Sequence, residues 1–306
     1  MNEFALIAAR FKPLASDFPG SLGLSDDAAL LDMPPEMQLV VTADTVNEGV
    51  HFIGDEDASL IARKALRVNL SDLAAMGAAP WCYFLALAMP GNTEESWIAR
   101  FAEGLHEDQR RFGIALAGGD TTATCARAHV TITALGLVPK GEALRRRDAQ
   151  ADDRIYVSGT LGDAALGLRC LRNQLPRNDF LETRYLLPEP RLALGAQLRG
   201  AATACMDVSD GLAQDLGHLC AASGAGAEIW TDRLPLSGAA RACAEAAEAA
   251  LCGGDDYELL FTLPPQAQAP AGVTQVGIIT QQKGVRVYTA QGGELLPASL
   301  SGYRHF

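Results

Sequence analysis

The sequence predicts a two-domain protein of the α/β class, with mixed α+β character. The chain has 306 residues, which is enough for two domains of ordinary size, each with its own core. Apolar residues make up 48% of it and charged residues 20%, as is typical of a soluble globular protein. Segments with strand-like and helix-like spacing of apolar residues alternate along both halves, and this alternation indicates a layered architecture.

The first half combines two long helical patterns with several short strands. Residues 58–76 have apolar residues at helical spacing and contain no Gly or Pro, and Gly77 and Pro80 end the pattern. A second helix is predicted over 94–112, and an amphipathic segment over 3–11 opens the chain. The strands predicted in this half are 28–31, 38–42, 83–89, 114–117 and 129–138.

The second half repeats this mixture after a polar stretch, 139–153, that is poor in apolar residues. We therefore predict an N-terminal domain over 1–140 and a C-terminal domain over 141–306. The helices predicted in the second half are 163–171, 191–199, 212–222 and 239–250. The strands predicted there are 154–158, 228–230, 258–263, 274–279 and 286–288.

Composition excludes several classes of function. The net charge of −12 disfavours a nucleic-acid partner, whose binding depends on Lys and Arg neutralising phosphates. No apolar run approaches the ~20 residues needed to span a bilayer. The first residues lack the basic and apolar regions of a signal peptide, so we expect a cytoplasmic protein. The seven cysteines are scattered and form no C-x-x-C pair, which argues against disulfides and a zinc site.

Short aspartate-bearing segments are the strongest chemical signal in the chain. They combine carboxylates with hydroxyls or glycines, and they are 25–27, 42–45, 69–72, 118–122 and 207–211. Hard oxygen ligands of this kind are those that Mg²⁺ prefers, above all when it carries a polyphosphate. Carboxylates repel phosphates unless divalent cations lie between them, so a site this acidic implies bound metal. The sequence therefore predicts a magnesium-dependent phosphoryl-transfer enzyme.

Each segment taken alone has a simpler explanation. Taken alone, Asp26 and Asp27 fit a turn better than a metal site. Asp44 ends an apolar run and equally fits a helix N-cap, as does Asp210 before the helix predicted from Leu212. For Asp210 this reading leaves the rest of its segment, 207–212, unexplained.

Two further segments place polar groups where they need partners. Asn69 and Asp72 share a face of the predicted helix, among apolar neighbours that make a lone carboxylate costly. A metal ion is the better explanation for Asp72, and a salt bridge with Arg67 is the alternative. The adjacent glycines Gly118 and Gly119 allow backbone N–H groups to approach a phosphate. The motif G-x-x-x-x-G-K-[ST] occurs nowhere in the chain, so this is not a P-loop.

The histidines indicate a binding role rather than zinc chemistry. None of the five forms an H-x-x-x-H pair. His51 follows the Asp44 segment closely and is the candidate site residue, whereas His106 and His218 lie in predicted helices. Near the C-terminal end, residues 253–258 crowd three carboxylates beside two glycines.

Taken together and in this order, these segments resemble those of the thiamine-monophosphate kinases, a family within the aminoimidazole ribonucleotide synthetase-like superfamily. The resemblance runs nearly end to end and rests on residues 25–29, 43–52, 69–77, 118–122, 155–162, 206–212, 253–261 and 302–306. It implies a two-domain aminoimidazole ribonucleotide synthetase-like fold. In that fold the N-terminal domain pairs across a homodimer, the C-terminal domain is α/β, and ATP lies between them.

The resemblance also implies roles for single residues. Several Mg²⁺ ions would be held by Asp27, Thr42, Asp44, Asp72, Asp120, Asp207 and Asp210. ATP would contact Gly119, Asp120, Arg146 and Ser209. Thiamine monophosphate would contact His51, Asp255 and Tyr303. The groups implied to act on the transferring phosphoryl group are Asp210, Asp120 and Arg146.

The chain departs from the family pattern at three positions. Ser25 stands where Gly is usual, and Ala43 stands where a hydroxyl residue is usual, so one metal loses a protein ligand to water. Asp255 replaces the commoner Glu. The sequence leaves open whether Asp255, Asp256 or Glu258 reaches the substrate.

The implied reaction suits the chemistry of the chain. A phosphate monoester acceptor is largely ionised near neutral pH and needs no general base. Positioning and electrostatic screening then suffice for direct in-line transfer from ATP. Two alternatives remain: another ATP-dependent member of the superfamily, such as aminoimidazole ribonucleotide synthetase, and a non-catalytic binder of thiamine phosphate or nucleotide.

Overall fold

Two sheets organise the chain, one of four strands and one of seven. The computed structural model describes residues 3–295 and residue 302. The chain divides into two units: the first runs to Leu73 and continues over Ala78–Gly141, and the second contains Ala74–Gly77 and the residues from Glu142 onward. Sheets and helices in both units confirm the predicted mixed α+β class. The roles predicted for the two domains stay predictions.

The first unit contains the four-stranded sheet. Its elements are α1 (Glu3–Leu6), β1 (Met37–Asn47), α2 (Ala58–Ala75), β2 (Ala79–Pro90), α3 (Glu95–Phe112), β3 (Ala115–Thr124) and β4 (His129–Pro139). The strand order is β1-β4-β2-β3, with β2 and β3 parallel and the other pairs antiparallel. Short π and 3₁₀ turns over Ile7–Phe11, Lys12–Ala15 and Pro19–Leu24 connect α1 towards β1. The edge strands of this sheet are therefore β1 and β3.

Helices α2 and α3 pack closely and share a buried ion pair. A Cβ atom added at Gly104 of α3 would lie 2.3 Å from the carbonyl oxygen of Ser59, so only glycine permits this approach. Arg67 of α2 donates from Nε and Nη2 to the carboxylate of Asp108, at 2.6 and 2.9 Å. Arg63 donates to the same carboxylate at 3.1 Å. Asp108 is completely buried, so its charge depends on these two arginines.

The predicted strand over 28–31 is wrong. Residues 29–34 are irregular, and their apolar side chains pack into a cluster instead of a ladder. Ala29 and Leu31 contact the group around Phe18 and Cys82, while Leu30 is 63% exposed. The prolines Pro34 and Pro35 that follow cannot donate to a sheet, which explains why the run does not extend into a strand.

The second unit contains the seven-stranded sheet. Its strands are β5 (Arg154–Ser158), β6 (Ala204–Val208), β7 (Gly226–Trp230), β8 (Glu258–Leu263), β9 (Val273–Thr280), β10 (Gly284–Tyr288) and β11 (Glu294–Leu295). Its helices are α4 (Asp163–Leu171), α5 (Asp179–Leu186), α6 (Leu192–Leu198), α7 (Leu212–Ser223), α8 (Gly238–Arg241) and α9 (Ala246–Cys252). The strand order is β11-β10-β7-β9-β5-β8-β6, and only β7 and β10 pair in parallel.

Both faces of the central strands of this sheet are buried. Alternate residues of β8 belong to two different cores, Leu260 to one and Leu259 and Phe261 to the other. The first core includes Leu212 and Leu216 of α7. The sheet therefore carries packed layers on both sides, and loops at strand ends become the available binding surface.

One predicted helix of this unit is wrong, and one observed helix was not predicted. The helix predicted over 239–250 is interrupted and forms the two short helices α8 and α9. Ala240 and Ala246, on either side of the break, are both buried in one cluster, so packing overrides the high helix propensity of this alanine-rich run. The sequence also failed to indicate α5, where Asn178 caps the helix by accepting from the N–H of Leu181.

Among residues 3–295, no helix is both long enough and apolar enough to cross a membrane.

Replacing Asp108 with Asn should lower the free energy of unfolding by about 3–5 kcal/mol, because the buried guanidinium of Arg67 loses the negative charge of Asp108. Urea-induced unfolding measures this change. The control is Glu103→Gln, which breaks the exposed Arg100–Glu103 pair on the same helix and should cost about 0–1 kcal/mol. Equal small losses in the two variants would contradict the structural importance of the buried pair.

Candidate functional site

The first group of predicted site residues lies where α2 meets β1. Thr42 Oγ1 donates a hydrogen bond to Asp72 Oδ2. The backbone N–H of Asp44 donates to Asn69 Oδ1 at 3.0 Å. Asn69 and Asp72 thus face β1 together, as their spacing on the helix predicts. Arg67 forms an ion pair with Asp108, at 2.6 Å between Nε and Oδ2.

Asp44 and Asp72 form a carboxylate pair with unfavourable electrostatics. Burial, and after it the charge of Asp72, raise the pKa of Asp44 from 3.8 to about 6. Two ionised carboxylates in a partly buried place repel each other, and a divalent cation removes that repulsion. The donor set of two carboxylates and a threonine hydroxyl therefore fits the hard cation Mg²⁺.

A second group lines a cavity of about 550 Å³ along β3, at the other end of the sheet. Asp27, Gly119 and Asp120 all line this cavity, together with apolar side chains such as Phe11 and Leu116. Its volume falls within the ~300–1,000 Å³ usual for small-molecule sites. Asp44 and Asp120 are not brought together within one chain, since β1 and β3 are separated by two strands, a span of roughly 14 Å.

The glycines of this second group lie within β3 and not in a loop after it. The predicted strand 114–117 continues to Thr124, so Gly118 and Gly119 belong to its pairing with β2. A Cβ added at Gly119 would lie 1.9 Å from the carbonyl oxygen of Leu85. Glycine is therefore required at position 119 for the close approach of β3 to β2. The backbone of the edge strand β3 lines the cavity at Gly118 and Gly119.

His51 lies in the tight loop after β1. Its Nδ1 accepts a hydrogen bond from the backbone N–H of Asn47 at 3.0 Å, and its carbonyl oxygen accepts from Lys64 Nζ at 3.0 Å. Since Nδ1 accepts, the neutral imidazole carries its proton on Nε2. The loop thus holds His51 with Nε2–H as the donor.

The third group is a loop of the second unit, between β6 and α7. Asp207 is buried in β6, whereas Ser209 and Asp210 are half-buried beyond its end. Gln214 Nε2 donates to Asp210 Oδ2 at 3.0 Å and so orients that carboxylate. Asp207, Ser209 and Asp210 therefore lie together at the C-terminal end of β6, an edge strand of the seven-stranded sheet.

Arg146 belongs to the same neighbourhood. Its carbonyl oxygen accepts from Ser223 Oγ of α7 at 3.2 Å, and its side chain is exposed. Its guanidinium is close enough to Asp215 to lower the pKa of that carboxyl, although burial dominates and raises this pKa to about 6.

The loop between α9 and β8 carries the acidic residues among which the sequence left the substrate contact open. Asp255 is half-buried, and its N–H donates to the carbonyl oxygen of Ser209 at 2.9 Å. Asp256 is buried and accepts from the N–H groups of Gly162 and Ala164, at 2.6 and 3.3 Å, at the start of α4. Burial raises the pKa of Asp256 to about 8. Asp256 therefore stabilises the fold, and Asp255 is the more accessible carboxylate.

Glu258 is likewise committed to the fold. It is completely buried and accepts from Arg191 at 2.6 and 2.5 Å, from Arg184 at 2.8 Å and from Ser158 Oγ at 2.5 Å. A carboxylate with so many donors has no capacity left for a substrate.

Tyr303 lies outside the described residues. Gly302, just before it, contacts the Asp210 loop, since a Cβ added at Gly302 would lie 2.4 Å from the carbonyl oxygen of Asp210.

Nowhere in residues 3–295 do three or more His, Cys, Asp or Glu side chains converge at one metal-binding point. The acidic residues occur in smaller sets, and such sets leave coordination positions for water and for phosphate oxygens. Mg²⁺ is usually bound in this way, by one or two carboxylates together with substrate phosphates.

Replacing Asp44 with Asn should raise the melting temperature of the metal-free protein at pH 8 and change it little at pH 4.5. The folded-state pKa lies above the ordinary value of 3.8, so the folded state loses stability as pH rises through about 6, when Asp44 ionises. Thermal unfolding with a chelator measures this, with the exposed Asp32→Asn as control. An equal change in melting temperature at both pH values would contradict the raised pKa of Asp44.

Comparison with known proteins identifies the family. Residues 25–138 match the family model described as AIR synthase related protein, N-terminal domain. The thiamine-monophosphate kinase of Caulobacter vibrioides is 40% identical over 99% of this chain and 91% of its own length. The crystal structure of thiamine-monophosphate kinase from Stenotrophomonas maltophilia K279a is 44% identical, with a TM-score of 0.83 over 94% of this chain and 96% of that one. AaThiL complexed with AMPPCP and TMP is 32% identical, with a TM-score of 0.82 over 99% and 97% of the two chains. The chain belongs to the thiamine-monophosphate kinase family.

Proposed function

We propose that this protein transfers the γ-phosphoryl group of ATP to thiamine monophosphate and so forms thiamine diphosphate. The observation that supports this most directly is the match along nearly the whole chain to relatives named thiamine-monophosphate kinase. A relative of the same fold was solved with AMPPCP and TMP, an ATP analogue and the proposed acceptor. The acidic groups described above supply the oxygen ligands that such a reaction needs.

The proposed metal ligands are the seven oxygen donors that the family resemblance implies. Bound Mg²⁺ supplies positive charge between these carboxylates and the phosphate oxygens of the substrates. The electrostatic repulsion between Asp44 and Asp72 supports this proposal, because a cation would remove the repulsion between two partly buried carboxylates. The half-buried Asp210, oriented by Gln214, is a further ligand in the proposal.

The remaining proposed residues bind and orient the substrates. The exposed guanidinium of Arg146 is free to reach phosphate oxygens and donates to the transferring group. Asp255 and the Nε2–H of His51 are the proposed contacts of thiamine monophosphate, together with Tyr303. No side chain needs to remove a proton, because the phosphate acceptor has a second pKa of ~6 and is already a nucleophile at neutral pH. Catalysis consists of alignment and charge screening.

The purified protein should release ADP from ATP and Mg²⁺ when thiamine monophosphate is added, and not when free thiamine is added. Asp210→Asn should reduce kcat by a factor of about 100, the scale of losing one electrostatic stabiliser of the transferring group. The fold should persist, since the neutral isostere keeps the shape of the side chain. The exposed Asp232→Asn of the same unit should be fully active. Wild-type turnover in a folded Asp210→Asn protein would remove Asp210 from the site.

We also propose a homodimer in the cytoplasm. The support for pairing is the edge strand β1, which among the described strands pairs with β4 alone. Leu39 and Val41 of this strand are 38% and 56% exposed, which is unusual for large apolar residues in a sheet. A second copy that covers this edge would satisfy its backbone groups and remove the apolar surface from water.

Light scattering should give twice the mass of one chain for the wild-type protein. Val41→Lys should shift the mass towards one chain, because a buried ammonium in the interface lacks a partner. Phe180→Lys, at a 49% exposed apolar residue of the second unit, should leave the dimer intact. A Val41→Lys protein that remains a dimer would exclude β1 from the interface.

A further inference from the structure

Asp215, in the first turn of α7, is a buried carboxylate that accepts hydrogen bonds from the Asp207–Asp210 loop. The residue is only 2% exposed. One oxygen, Oδ2, accepts hydrogen bonds from the backbone N–H groups of both Ser209 and Asp210, each at 3.0 Å. These are the two residues that the proposed function assigns to ATP and to metal. A single buried side chain thus fixes the backbone orientation of both Ser209 and Asp210.

This arrangement occupies a place where an anion usually binds. Successive N–H groups just before a helix attract phosphates, because they converge and the helix dipole is positive there. Here the anion is provided by the chain itself. The N–H groups of Ser209 and Asp210 are therefore committed to Asp215, and a phosphate group can be met only by the side chains of this loop and by cations that they bind.

Other contacts restrain the same loop from the outside. The carbonyl oxygens of Val208 and Ser209 accept from the N–H groups of Tyr257 and Asp255, at 2.8 and 2.9 Å. Both donor residues have positive φ, 50° and 68°, a conformation that costs energy for residues other than glycine. Asp215 supplies the restraint on the N–H side of the loop, and the strained 255–257 segment supplies it on the carbonyl side.

We propose that Asp215 is a positioning residue for phosphoryl transfer, which holds Ser209 and Asp210 in register by the two hydrogen bonds to Oδ2 and excludes phosphate from the start of α7. The inference rests on the proposed function, since it needs Ser209 and Asp210 to act on ATP and metal. A role limited to stabilising α7 predicts a loss of stability without a loss of turnover.

Glu182 provides the matched control for such a helix-stabilising role. Like Asp215, it is the fourth residue of its helix, is buried, and accepts from a backbone N–H before the helix, that of Asn178 at 3.1 Å. Among the described residues, the hydrogen-bond donors to its side chain are Arg177 and Asn178, and neither is a proposed site residue. Glu182→Ala should therefore lower the melting temperature and leave kcat unchanged.

The experiment compares Asp215→Ala, Asp215→Asn and Glu182→Ala by ADP release, with each KM determined and each fold checked by melting temperature. Asp215→Ala should lower kcat on the order of 100-fold, the usual consequence of misplacing groups by about 1 Å. Its KM for thiamine monophosphate should stay unchanged. Asp215→Asn keeps an oxygen for both N–H groups and should restore turnover. Inorganic phosphate should inhibit Asp215→Ala in competition with ATP and should not inhibit the wild type in this way.

The outcomes separate the two proposals. Absence of turnover in the wild type would contradict the proposed kinase function. Asp215 would then be tested by binding: inorganic phosphate should displace bound ATP from Asp215→Ala and not from the wild type. Wild-type kcat in Asp215→Ala, or a folded but inactive Asp215→Asn, would overturn the positioning role. If Asp215→Ala does not fold, Asp215→Asn remains the test, and a folded Asp215→Asn protein without turnover would overturn the positioning role.

Discussion

Burial of carboxylates is the physical constraint on which much of this structure depends, because an ionised oxygen removed from water needs donors or cations in its place. The chain meets the need in two ways. Asp108 and Glu258 are surrounded by arginines, and Asp215 and Asp256 by backbone N–H groups. Asp44 instead faces another carboxylate. This contrast separates acidic residues whose charge is balanced by groups of the fold from the Asp44–Asp72 pair, for which we propose a cation.

Local sequence patterns predicted the long helices and strands but not every short segment. Long amphipathic patterns and apolar runs bounded by Gly or Pro gave α2, α7 and β8 to within a residue or two, because local periodicity determines them. The order of the acidic motifs indicated the family. Residues 28–31 were misjudged, since the pattern does not show whether a short apolar run finds a ladder partner or fills a cluster.

Within the candidate site, the limit of sequence reasoning was burial. Asp255, Asp256 and Glu258 are indistinguishable as a cluster of acids, and only the contacts of Asp256 and Glu258 with Gly162 and Arg191 show that these two are already satisfied. Asp215 gave little signal, because a carboxylate in the first turn of a helix is common for electrostatic reasons alone. Its hydrogen bonds to two residues of the adjacent loop depend on the three-dimensional path of the chain.

The pairing of β1 has a consequence for how the chain folds during synthesis. Its partner β4 begins at His129, which pairs with Asn47 at the far end of the ladder. At a translation rate of roughly 5–20 residues per second, β1 leaves the ribosome about 4–16 s before β4 does. Throughout that interval a long strand bearing Leu39 and Val41 has no partner in its own sheet. Until β4 emerges, β1 is therefore an unpaired strand with exposed apolar side chains, the kind of segment that favours strand-to-strand association.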